Sequence, residues 1–152
     1  MLASFVAAVC LVLPSGAQVV DPFRAPECDR CAGNRGLELA VARDAPLVAG
    51  LSGVVTFAGQ VGGRNYVVLR AASDSRVRVT YGGLVAIAVS RGDRVVRGER
   101  LGRVANDLFL GVRVGERYVD PLTMVTKSAT GRHGTAAPRF RVTLGAVPAG
   151  RC

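Results

Sequence analysis

From Leu37 to Val119, apolar residues recur in short runs separated by glycine-rich turns, and no long stretch carries the 3.6-residue period of an amphipathic helix. A two-residue alternation buries one face of a strand and wets the other. A chain patterned this way for eighty residues is therefore confined to β architectures. Predicted strands are Leu37–Val41, Leu47–Ala49, Gly53–Val61, Asn65–Ala71, Arg76–Tyr81, Arg100–Ala105, Leu108–Val114 and Arg117–Val119. Gly62-Gly63 reads as a hairpin turn, and Gly115-Glu116 as a second one joining Val114 to Arg117. Leu84–Val89 fits a short helix or a turn. The expected class is all-β, with many short antiparallel strands. At 152 residues there is room for one domain with short ends, and 49% apolar content is ample for a core. With 5% aromatics and no Trp, that core must be built mainly from Val, Leu and Ala.

The ends differ in character from the middle. Leu2 to Leu13 is an apolar run, followed by Pro14 and then Ser15-Gly16-Ala17. Its length suits the hydrophobic region of a signal peptide and is short for a bilayer span, and Ser15 and Ala17 are the small residues a cleavage site requires. No Lys or Arg precedes the run. The alternative is a buried N-terminal strand or helix. Residues 1–17 are expected to be a signal peptide with a mature start near Gln18, which implies a secreted or cell-envelope, extracytoplasmic protein. Residues 18–35 then form a loop carrying a CxxC, 36–126 the β core, 127–137 a Gly/Ser/Thr/Ala-rich linker, and 138–152 a C-terminal strand and tail. Within that tail, Arg139–Leu144 alternates strictly polar and apolar. In an oxidising compartment Cys28 and Cys31 are expected to close a short local disulfide. Cys152 is then the odd thiol: free, paired with a partner, or competing for Cys28 or Cys31. Cys10 lacks the small residue before it that lipid attachment uses.

The formal net charge is +9, and every basic residue but Lys127 is Arg. Such a charge favours weak association with polyanions such as a wall polymer or an anionic membrane surface. The arginines are spread along the chain and are not interleaved with aromatics. No nucleic-acid surface is therefore expected.

Residues Pro22 to about Val125 resemble the lysostaphin/LytM-type peptidoglycan metallopeptidases. The resemblance rests on motifs in order: Pro22-Phe23-Arg24-Ala25-Pro26; Asn34-Arg35-Gly36-Leu37-Glu38; Ala45–Gly50 with Gly53–Gly59; Val79-Thr80-Tyr81-Gly82-Gly83-Leu84; Val89–Gly102; and Leu108–Arg113 followed by Tyr118-Val119-Asp120-Pro121. It implies an antiparallel sheet or half-barrel related to lipoyl carrier domains, with a short C-terminal extension. A carrier function itself would need a lysine at a hairpin tip, and Lys127 lies outside the core.

The same resemblance implies zinc held by two histidines and an aspartate, with further histidines serving the activated water. Residue by residue, this chain departs from it. Asn34 stands where the first ligand histidine is expected, and Glu38 keeps a carboxylate at the second ligand. Phe109 stands at the third, while Asp107 and Gly83 occupy the positions of the auxiliary histidines. The sole histidine, His133, lies in the polar tail, and a two- or three-histidine zinc site cannot be built from it. The expectation is therefore no metal, no cofactor and no catalytic residues. Asn34, Glu38, Tyr81, Gly83, Asp107 and Phe109 would line a groove that keeps the family's shape. Three functions follow: a non-catalytic envelope module that binds peptidoglycan peptide or regulates a wall hydrolase; a divergent zinc endopeptidase that cleaves peptidoglycan cross-links; or a secreted structural β-domain. The first is the preferred reading. Oligomeric state has no sequence signal here.

Overall fold

The computed structural model describes residues 9–125. The alternation becomes nine strands: β1 (Gln18–Asp21), β2 (Gly36–Ala40), β3 (Pro46–Val48), β4 (Gly53–Val61), β5 (Arg64–Ala71), β6 (Val77–Ile87), β7 (Arg94–Val95), β8 (Arg100–Val114) and β9 (Arg117–Val119). A 3-10 turn, Pro121–Met124, follows, and no α-helix occurs among the described residues. The strands form one unclosed sheet in the order β1-β2-β8-β6-β5-β4-β7, with β3 and β9 also paired to β8. Every pairing is antiparallel. The all-β, antiparallel expectation holds.

Several strand boundaries differ from the sequence reading. Leu84–Val89 is neither helix nor turn up to Ile87, because β6 runs straight through it. The strands predicted at Arg100–Ala105 and Leu108–Val114 are one strand, β8. Asn106 and Asp107 look like a break in the apolar pattern, yet their backbone pairs: Val41 N–H donates to Asn106 O at 3.0 Å, and Asp107 sits opposite Ala40. The short strands β1 and β7 carried no recognisable pattern. Both hairpin turns are present. Val61 pairs with Arg64 across Gly62 and Gly63, which have φ of 56° and 79°, the pair of left-handed residues a tight hairpin turn demands.

One face of the sheet is the core. Leu37, Leu39, Val55, Val67, Leu69, Val79, Leu108 and Leu110 are wholly inaccessible to solvent, and the described residues include no buried charged group. The residues between them on β2, β6 and β8 face the other way and line the candidate groove.

The N-terminal apolar run also enters the core. Leu11 has no exposed surface. Its N–H donates to Met124 O at 2.7 Å, and the Val12 N–H donates to Gly50 O at 2.9 Å. A Cβ on Gly50 would collide with the Val12 carbonyl and lie 2.8 Å from Leu11 Cδ1, so glycine at position 50 permits this close approach. Val9 to Leu13 thus lies against the core as a strap. The CxxC closes as expected, with Cys28 and Cys31 in a disulfide at a Cα–Cα distance of 4.9 Å. Cys10 is disulfide-bonded as well. His133, Lys127–Ala137, Arg139–Leu144 and Cys152 lie outside the described residues.

Candidate functional site: a groove centred on Arg64

The groove lies where β6 and β8 part company. Gly82 pairs with Phe109, but the next β6 pair joins Leu84 to Val104. One β6 residue, Gly83, therefore faces a four-residue excursion of β8 that contains Asp107. Gly83 is also the extra residue against β5, where Asn65 pairs with Leu84 and Tyr66 with Gly82. Its φ of 96° is a conformation that side-chain-bearing residues rarely adopt. Asn65 Nδ2 donates to Leu84 O at 2.9 Å and bridges the distortion.

Glu38, Phe109, Gly82 and Tyr66 form one cross-strand row through β2, β8, β6 and β5. An ideal Cβ on Gly82 would sit 2.5 Å from Tyr66 Cε1 and 3.4 Å from Phe109 Cβ, so the Tyr66 ring covers the bare glycine backbone. The Phe109 ring reaches across the sheet in the same way. It lies within 2.7 Å of where a Gly36 Cβ would be and 3.0 Å of where a Gly111 Cβ would be. The floor is thus two half-buried aromatic rings laid over three glycines, a cross-strand arrangement that shields backbone from water.

The charged wall is built around Arg64, the first residue after the Gly62-Gly63 turn. Its Nη2 donates to Asp107 Oδ2 at 3.3 Å and stands 3.8 Å from Glu38 Oε2. The Arg64 and Glu38 side chains are each 36% exposed, and Asp107 is 62% exposed. The guanidinium lies over Gly83: a Cβ there would be 3.0 Å from Nη2 and 3.3 Å from Nε.

Of the six predicted groove residues, Glu38, Gly83 and Asp107 converge on Arg64, with Phe109 beside them. Asn34 is at the edge. Its Nδ2 donates to the carbonyls of Pro22 (3.1 Å) and Asp21 (3.4 Å), and its Oδ1 accepts from Gly36 N–H at 3.4 Å. The amide is spent on pinning β1 against the start of β2. Tyr81 is not in the groove, and here the structure corrects the expectation. Strand alternation turns Tyr81 into the core, where it is 1% exposed and its Oη accepts from Gly50 N–H at 2.9 Å. Burial pushes its phenol up to about 12, although the bond from Gly50 works the other way. Sequence reasoning missed Arg64 and Tyr66. The Gly62-Gly63 turn placed Arg64 at a hairpin tip, but nothing in the sequence says which residue that tip will touch.

The donor set does not fit zinc. Asn34 is committed to backbone carbonyls, Phe109 offers only carbon, and the two carboxylates already face a cation. Among the described residues no group of three or more His, Cys, Asp or Glu comes together as a metal site.

A family model described as Peptidase family M23 matches residues 32–121, more than half of the chain. The fold is similar to that of Helicobacter pylori Csd3, with 21% identity, a TM-score of 0.66, and 82% of this chain and 36% of that one covered. It is similar to a chain of the SpoIIQ–SpoIIIAH pore-forming complex at 19% identity and TM-score 0.66, covering 81% of this chain and 99% of that one. It is also similar to the catalytic domain of the antimicrobial peptidase lysostaphin from Staphylococcus simulans at 19% identity and TM-score 0.60, covering 69% and 89%. The chain thus spans about a third of the length of Csd3 and nearly all of the SpoIIQ–SpoIIIAH chain it matches. No curated protein matches the sequence.

Proposed function

This chain belongs to peptidase family M23, and from that premise we propose that it is a non-catalytic module of the cell envelope, which binds peptidoglycan peptide or regulates a wall hydrolase. The carrying observation is the groove. Its backbone shape is that of a peptidase family, while a guanidinium faces the two carboxylates and a phenyl ring stands where a metal ligand is expected. Hydrolysis by this family's route needs a bound water brought to reactivity by the metal, and none of the groove side chains replaces that role. The aromatic floor of Tyr66 and Phe109 offers apolar surface to a peptide laid along the sheet. The Cys28–Cys31 disulfide favours an oxidising, extracytoplasmic setting. The likeness to a chain from the SpoIIQ–SpoIIIAH complex supports a protein partner as one form of this role.

The test pairs metal analysis of exported, untagged protein with a pull-down on purified peptidoglycan and on a co-expressed wall hydrolase. The expected result is substoichiometric zinc with saturable retention on one of the two. One zinc per chain with cleavage of cross-linked wall peptide would replace this reading with the divergent peptidase. Absence of saturable retention on either would leave the structural β-domain.

A further inference from the structure

We infer that Arg64 is the resident cation of the groove, a tethered positive charge standing where the family holds a metal ion. The inference deepens the reading above, on which it rests for the groove's descent from a peptidase site. Two carboxylates from different strands, Glu38 on β2 and Asp107 on β8, both face the same Nη2 of Arg64, at 3.8 and 3.3 Å. Without a cation between them, these two acids on neighbouring strands would repel each other beside the β6–β8 register shift. A divalent ion resolves that repulsion in a metalloenzyme, and here a side chain does.

Three sequence features must agree for the exchange to work. Gly62-Gly63 makes a two-residue turn, which delivers position 64 to the groove mouth. Gly83 leaves room for the guanidinium, since even a Cβ there would stand 3.0 Å from Nη2 and 3.3 Å from Nε. The resemblance places a histidine at position 83, and its ring would contest that same space. Asp107, in the β8 excursion, then supplies an anion for the guanidinium to bond. The bare glycine at position 83 and the guanidinium lying over it thus fit together sterically. The guanidinium carries a fixed charge over the whole working pH range and cannot be chelated away. The groove therefore keeps its charge balance independently of metal supply.

The test uses thermal melts with Mn2+ as the probe, because oxygen donors suit that ion. The wild-type chain is expected to melt at the same temperature with or without millimolar Mn2+. Arg64→Met, which keeps the aliphatic stem and removes the charge, is expected to gain a rise of a few degrees, by about the linkage of one weakly bound ion. Arg64→Lys should stay insensitive, because it restores the cation. Glu38→Gln with Asp107→Asn in the Arg64→Met background should abolish the gain. A wild-type chain that responds like Arg64→Met, an Arg64→Met chain that does not respond, or a response surviving in the triple variant would each overturn the inference. Wall or hydrolase retention measured on the same wild-type sample separates the two claims. Retention without the Mn2+ pattern removes the resident cation and leaves the proposed function standing.

Discussion

Tyr81 shows how a single residue ties β6 to the loop after β3 through the core. Its ring is buried in the core, and its hydroxyl is the acceptor for the Gly50 N–H. Because burial raises the phenol from 10.0 to about 12, the folded chain keeps a proton that the unfolded chain releases. Between those values the unfolded state binds fewer protons, so stability falls as pH rises, having been fully present below pH 10. Melts run from neutral pH to about pH 11.5 should show the transition temperature dropping above about pH 10. Tyr81→Phe should lose that alkaline decrement. At neutral pH it should be less stable by about 1–3 kcal/mol, because the Gly50 N–H is left buried without an acceptor. Gly83→Ala is a sharper probe of the groove. A side chain at φ 96° is strained in itself and also presses on Arg64. A loss of about 1–3 kcal/mol in denaturant unfolding is expected, with secondary structure by circular dichroism unchanged.

Among the elements, the N-terminal strap makes the strongest claim. Two backbone bonds, a fully buried Leu11 and the close approach at Gly50 tie residues 9–13 to the 3-10 turn and to the loop after β3. Removing a leucine side chain from such a site costs about 2–5 kcal/mol. Leu11→Ala should lower stability by that amount. Intact-mass analysis of the exported protein should show that Val9 onward is retained, so that any processing falls before it. A mature chain starting at Gln18 and as stable as the longer one would refute this. The Arg35 and Arg113 guanidiniums lie over the Tyr118 ring, 5.6 and 5.1 Å from its centroid. These contacts link the loop before β2 to β8 and β9.

At the scale of the whole molecule, the chain carries a formal net charge of +9, whereas the groove's own cluster is two carboxylates and one guanidinium. General attraction to an anionic wall and specific seating in the groove should therefore respond differently to salt. Exposed charges are screened over about 10 Å at 0.1 M salt. Raising salt from about 50 mM to about 500 mM should weaken overall retention on purified wall. A Phe109→Ala change should weaken retention to a similar degree at both salt levels, because the ring contributes apolar contact. Sedimentation binding at the two salt levels checks both outcomes.

What the sequence determined by itself was the class of fold, the hairpin turns and the family, because strand alternation and the Gly-Asp and Asp-Pro turn motifs are local. Leu37 and Leu39 announce a buried face, and Gly62-Gly63 announces a hairpin, before any tertiary contact is known. The absence of histidine at the ligand positions 34 and 109 and at the auxiliary positions 83 and 107 is equally a fact of the sequence. Tertiary structure decided which residues meet. Tyr81 looked like a groove residue because its motif resembled one, yet the two-residue period sends it into the core. Arg64 looked like an ordinary hairpin residue, yet the mismatch of one β6 residue against four of β8 brings Asp107 and Gly83 to its guanidinium. Register across a sheet depends on pairings between residues far apart in the chain, and bulges shift that register without any local sequence signal. The same holds for Leu11 and Val12, whose apolar run gives no local sign that its backbone will bond to Met124 and Gly50.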